Sequence, residues 1–297
     1  VRWLSETEWR SRAGVHRRRV QHWTVPHLER RRRGERHPVL DFLFTYYSLR
    51  PQRLERWLPG PGLALHGADE LLDVPGYVRD GDAVRLDVAA LPERVHGTAR
   101  FVHDLLAATA TRPSRLSCFG LHEWAMVYRT DEPRHGHVPL RLGAAGTNAL
   151  LESLPVHCTH HDAFRFFTAA ARPRNAITPT RADQLANEQP GCLHAVMDLY
   201  KWSYKLAPAT PSELVADCFE LAVAVRELDM RASPYDLADL GYPPVRIETP
   251  AGRAEYARGQ AAFARRARPL RSRLIALARH VLGEEPGDEV LDESPGT

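Results

Sequence analysis

Lysine is almost missing from this chain. Of its 40 basic residues only Lys201 and Lys205 are lysine, against 38 arginines. Such a bias points to a GC-rich genome and singles out the two lysines that remain. Long apolar runs are also missing: none approaches the roughly 18 residues that span a bilayer. A membrane partner is therefore not expected. The opening "VRWLSETEWRSR" has no apolar signal core, so the expected location is cytoplasmic, with Val1 read as an initiation codon written literally. Cysteine is limited to Cys118, Cys158, Cys192 and Cys218, with no C-x₂-C pair. That spacing disfavours a disulfide frame or a four-thiolate zinc site and suits small buried apolar side chains. A glycine-rich phosphate loop, an alternating βαβ pattern, H-E-x-x-H and any repeat of about 20–50 residues are absent as well, which disfavours nucleotide folds, zincin-type metalloproteases and helical solenoids.

What is present is a 297-residue chain, 43% hydrophobic and 26% charged, with the balance of a globular protein. Its net charge of +3 conceals a gradient. Residues 1–36 carry eleven arginines against four glutamates, whereas 284–297 carry six acids and no base. The head either meets phosphate or forms a solvated amphipathic helix; the tail is expected to be disordered and self-repelling. The expected organisation is a basic helical arm (1–36) packed on a single mainly helical domain (37–283), then the acidic tail (284–297). No obligate protein partner is evident.

The pattern predicts a mainly α, compact multi-helix fold with one small β-hairpin and short strands. Ser5 and Glu8 have capping-box spacing, so a helix should start near Glu6 and run to about Trp23, before Pro26, with a short basic helix after it. "PVLDFLFTYYSLR" reads as a helix with Pro38 in its first turn and Asp41 near its positive end. Alternation around Asp80-Gly81 predicts a hairpin. Helices are expected at 93–110 and 114–129, a strand at "VPLRLG" and a helical piece at "TNALLES". Thr210-Pro211 with Glu213, and Thr249-Pro250, mark two further helix starts, and Pro269 is expected to break or kink the continuation of the second.

Three stretches carry candidate chemistry. In "FGLHEWAMVYR", His122 and Glu123 beside Trp124 suit acid–base work in an apolar pocket, or a core helix. In "HCTHHDAFRFF", His157, His160 and His161 with Asp162 suggest a divalent metal, joined by His122 and His194 from elsewhere. The alternative is a carboxylate, Asp162, beside Phe166, with Arg165, Arg172 and Arg174 supplying cations for a stacked nucleotide. In "QPGCLHAVMDLYKWSYKL", helical spacing aligns His194, Asp198, Lys201 and Lys205. Lysine, unlike arginine, can act as an amine nucleophile when buried, although Lys–Asp pairs are also common on exposed helices. "ELDMRASPYDL" reads as an Arg–carboxylate brace, through Glu227, Asp229, Arg231 and Asp236, where one helix ends at Ser233-Pro234 and another begins.

Together, "HPVLDFLFTYYSLRPQRLERWLPGPG", "CFGLHEWAMVYR", "CTHHDAFRFFTAAARPRN", "QPGCLHAVMDLYKWSYKL" and "ELDMRASPYDLADLGYPPVRIETPAGRAEYARGQ" resemble an actinobacterial family commonly labelled 3-methyladenine DNA glycosylase, over roughly residues 5–282. The resemblance implies a DNA repair enzyme that hydrolyses the N-glycosidic bond of alkylated purines and binds double-stranded DNA, largely non-specifically, through phosphate. It requires no cofactor. It further implies stacking rings among Trp124, Phe166, Tyr200, Trp202 and Tyr204, and a carboxylate from Asp162, Glu123 or Asp198. Lys201 or Lys205 would be available for covalent capture, and the arginines with Lys205 for phosphate. A metal-dependent enzyme acting on a small molecule through His122, His157, His160, His161 and His194 is the alternative reading.

Overall fold

The computed structural model describes residues 1–133 and 135–284. Strand β1 (Arg2–Leu4) leads into helix α1 (Glu6–Arg32), which starts where the capping box requires: Ser5 accepts from the Glu8 amide and Glu8 accepts from the Ser5 amide. The expected break before Pro26 does not occur; Pro26 lies within one continuous helix. Trp9, His16, Val20, Thr24 and His27 form a single buried stripe along it, and the packing of that stripe overrides one missing backbone bond. The tail beyond Glu284 lies outside the described residues.

The segment expected to be a helix from Pro38 onward forms only α2 (Phe42–Thr45), followed by α3 (Pro51–Glu55). The Asp41 side chain is engaged by His27, Arg30 and the His37 amide, which hold the chain ahead of α2 in turns. β2 (Leu63–His66), β3 (Tyr77–Asp80) and β4 (Ala83–Leu86) complete a sheet of order β1-β2-β4-β3. The predicted hairpin is there: Asp80 pairs with Ala83 around Gly81, at φ 63°. The sheet is larger than expected because three-residue β1 pairs in parallel with β2.

α4 (Glu93–Thr111) matches expectation, but the helix predicted at 114–129 shrinks to α5 (Leu121–Ala125). Positive φ at Phe119, Gly120 and Arg129 confines it on both sides. α6 (Gly143–Ser153), α7 (His161–Phe164) and α8 (Gln184–Asn187) follow, and "VPLRLG" contributes one bridge, Leu140 to Tyr235, instead of a strand. α9 (Leu193–Lys205) and α10 (Ser212–Arg231) form the central pair, with α11 (Pro250–Val281) packed on α9 and α4. Thr249 caps α11 as predicted, through the Gly252 amide, and α11 runs through Pro269 unbroken. Thr210 does not cap α10. Its hydroxyl donates to the Ser203 carbonyl, and Glu213 accepts from the Trp57 indole instead of closing a box.

α9 and α10 are buried nearly all round, as expected of helices apolar on every side. Their buried residues nonetheless include two carboxylates, an imidazole and a guanidinium: Asp198, Asp229, His194 and Arg226. Such groups need partners in the interior, and those partners define the site. No helix among the described residues is long and apolar enough to cross a membrane.

Candidate functional site

A cleft of about 920 Å³ opens between the end of α1, the α2 region, α5 and α7. Asp162, Arg165 and Phe166 form one wall, Phe42 and Tyr46 another, Glu123, His194 and Arg226 the floor, and Arg31 and Arg36 the rim. The His-rich stretch, the carboxylate after His122 and the basic head therefore meet at one opening.

The floor is a buried ionic layer. Arg226 donates to Glu123 at 2.6 Å and stands 3.4 Å from Asp229. Its guanidinium also covers the Phe42 ring at 4.1 Å. Phe42 in turn lies parallel to Tyr46, with centroids 4.9 Å apart and planes at 7°, and Arg165 lies 6.0 Å beyond the Tyr46 ring and 4.6 Å from that of Phe166. Two cations thus flank a stacked pair of rings, with Arg165 as the more distant of the two. Burial, with help from the Asp198 and Asp162 carboxylates, pushes the Tyr46 hydroxyl up to about 12.

Asp162 is the accessible carboxylate of the wall, its side chain 24% exposed. Burial works against its charge, but the Lys201 ammonium at 2.8 Å prevails and holds it below the usual carboxylate range. Lys201 also donates to Asp198 at 3.0 Å. Asp198 is sealed beneath the cleft, where Tyr47 donates to it at 3.0 Å and His160 lies 3.5 Å away. Two carboxylates outweigh burial and raise the lysine pKa. Lys201 thus stays an ammonium, the opposite of what an amine nucleophile requires, and acts as a clamp on Asp162. Lys205 is exposed on the far end of α9.

The five rings named from the sequence separate. Phe166 lines the cleft. Trp124 is wholly buried with its indole bonded to the Ala232 carbonyl, and Tyr200 is wholly buried against Tyr47 and Phe219. Trp202 is buried beside Phe101, and the Tyr204 hydroxyl sits at the Ser48 amide. These four are packing residues. Phe42, Phe44 and Tyr46, which sequence reasoning passed over, supply further rings lining the cleft. Of the cations, Arg165 faces the cleft, whereas Arg174 lines a separate depression and bonds the Glu152 carbonyl, and Arg172 bonds the Arg165 carbonyl.

Of the five histidines named as ligands, His122, His160 and His194 come together and His157 and His161 do not. His157 is exposed, His161 faces the Pro179 carbonyl, and His160 is buried with Asp198 and Glu188. His194 lies 4.5 Å from His122 and 5.2 Å from His160 between ring centroids, and Asp229, instead of bracing Arg231, joins His122 and His194 in a group whose ligand atoms lie within 4.8 Å of one another. Arg231 bonds the Pro243 carbonyl and stands 4.0 Å from Glu227 and 3.6 Å from Glu255, and after Ser233-Pro234 a single turn at 238–240 precedes α11. Burial opposes a charge on His122, but Asp229 at 3.0 Å raises its pKa well above the ordinary value. Burial, then the His122 charge, pushes His194 the other way, so it is a neutral imidazole. Cys118, Cys158 and Cys192, far apart in sequence, line one small cavity behind this pair. The signal that pointed to Arg226 and Asp229 was available: charged residues inside "LAVAVRELDM", an otherwise apolar helix.

Comparison with protein-family models, with curated proteins and with solved structures returns no match.

Proposed function

We propose that the cleft hydrolyses the N-glycosidic bond of an alkylated purine in DNA. The supporting observation is the meeting of an ionised, accessible carboxylate (Asp162) with the Phe42, Tyr46 and Phe166 rings and the Arg31, Arg36 and Arg165 cations at one opening. The sequence resemblance to the family labelled 3-methyladenine DNA glycosylase points the same way. A purine alkylated at N3 is cationic and leaves readily, so the demands on the protein are modest: rings that hold the extruded base, cations that bind the phosphates flanking it, and a carboxylate at the sugar. In the proposed step the C1′–N9 electron pair departs with the base and cancels its charge. Water adds to C1′, and its proton passes to Asp162, whose negative charge stabilises the positive charge growing on the sugar. Glu123 and Asp198 are committed to Arg226 and Lys201, and Asp162 is the carboxylate with room for substrate.

The test is release of free base from methylated duplex DNA with the protein in several-fold excess over lesions. Release of 3-methyladenine, lost in Asp162→Asn, is the expected outcome. Absence of any freed purine from the unaltered chain would reject the reading.

A further inference from the structure

The hydrolysis above makes no use of three side chains at and below the cleft floor. His122 of α5, His194 of α9 and Asp229 of α10 are buried, and each places one ligand atom within 4.8 Å of the other two. His122 Nε2 stands 3.0 Å from Asp229 Oδ1 and 3.2 Å from Oδ2. Two donors on one tetrahedral first-row cation, each at about 2.0–2.2 Å, are themselves roughly 3.3–3.6 Å apart. The separation is within a few tenths of an ångström of that edge. The two imidazoles meet at 79°, so one ring turns its edge to the other and both can aim a nitrogen at a shared point. His194 makes no hydrogen bond to any described residue, and it borders both the cleft and the small cavity behind it.

The surroundings resemble those that orient metal ligands. The other nitrogen of His122, Nδ1, lies 3.5 Å from Cys118 Sγ, and Asp229 receives Tyr256 at 3.4 Å and Arg226 at 3.4 Å. Supporting contacts of this kind fix which atom faces the ion. The Arg226 charge is answered by Glu123. Once a cation displaces the proton of His122, Glu123, Arg226 and Asp229 together leave one negative charge for that cation to neutralise.

We propose that His122, His194 and Asp229 bind a divalent first-row transition cation of the zinc or iron class, with its remaining coordination positions toward the cleft. Two imidazoles and one carboxylate are a borderline donor set, unsuited to the all-oxygen shells of magnesium or calcium. This assignment does not rest on the glycosidic chemistry, and base release can fail while metal binding stands.

The experiment uses the full chain produced without a histidine tag, dialysed against Zn²⁺ or Co²⁺. The expected result is one equivalent retained, with cobalt d–d bands in the visible spectrum. His194→Ala, which sacrifices no hydrogen bond and should fold, is expected to weaken retention by about 100-fold or more, beyond the roughly 10–100-fold that loss of a supporting partner brings. Asp229→Asn should do the same if it folds; His194→Ala decides the question if it does not. Retention far below one equivalent in the unaltered chain would overturn the proposal, as would unchanged retention in His194→Ala. An intense thiolate-to-cobalt charge-transfer band would overturn it too, by moving the ion to the three cysteines behind.

Discussion

Lys201 donates to Asp162 across 2.8 Å, tying the accessible wall of the cleft to the buried Asp198 through a single ammonium. Replacing it with methionine leaves Asp198 sealed with Tyr47 and His160 and without its lysine counter-charge. Removing one partner of a buried ion pair costs about 3–5 kcal/mol, and because Lys201 is partly exposed the lower end is expected. Urea unfolding of Lys201→Met measures it. The same change releases Asp162 from its cation, so its pKa rises and the acid limb of any base-release profile shifts to higher pH. Unchanged stability together with an unshifted profile would show that the clamp has no such role.

The Glu123–Arg226 pair forms the floor, and both side chains are almost entirely enclosed. Arg226→Met should destabilise by about 3–5 kcal/mol because Glu123 and Asp229 lose their shared cation, whereas the double change Arg226→Met, Glu123→Leu should recover much of that loss. Chemical denaturation of the two single variants and the double variant separates the pair's coupling from its packing. Simple additivity would mean that the two charges do not depend on each other.

How much of this was legible in sequence follows from the range of each signal. Local codes were read correctly at Ser5/Glu8, at Thr249 and around Gly81, because a cap or turn is closed by residues within a few positions. Pro26 was misread as a break, and no break occurs at Pro269 either, because the stripes that carry α1 and α11 through them are tertiary. At the site, Glu123, Asp162 and His194 could be named from their types, and the fold brings them to one cleft. Which aromatic residues would face it could not be read, because ring chemistry is the same for Trp124 in the core and Phe166 in the wall. Phe42 and Tyr46 were hidden in what looked like an ordinary amphipathic helix. Arg226 and Asp229 were legible in principle, as charges in an apolar run.

The rim arginines make a prediction about salt. Arg31 and Arg36 border the cleft beside Arg165, so if they meet DNA phosphates, each contact contributes about 0.9 to the slope of log binding constant against log salt. Arg31→Ala with Arg36→Ala should flatten that slope by up to roughly 2, measured by fluorescence anisotropy on an undamaged duplex. Lys205→Ala, exposed at the end of α9, is the control expected to leave cleft-dependent base release unchanged. A slope identical in the double variant would remove the rim from the DNA-binding surface.

Asp41 fixes the basic end of α1 against the cleft, and its titration predicts an acid dependence with a definite sign. It accepts from His27 at 2.9 Å, from Arg30 at 2.6 Å and from the His37 amide at 2.8 Å. Burial alone would raise its pKa, but Arg30 and the other donors prevail and lower it in the folded state. A folded-state pKa below the unfolded value of about 3.9 means that the unfolded chain takes up the proton first as pH falls. The stabilisation is therefore complete above about pH 5, declines from there and is gone once pH drops below the folded-state value. Asp41→Asn, which keeps the shape without the charge, should lower stability at neutral pH and show a shallower acid limb than the unaltered chain. Unfolding free energies measured from neutral to acid pH should thus converge for the two proteins. Parallel curves would show that Asp41 holds the arm by hydrogen-bond geometry and that its charge contributes nothing.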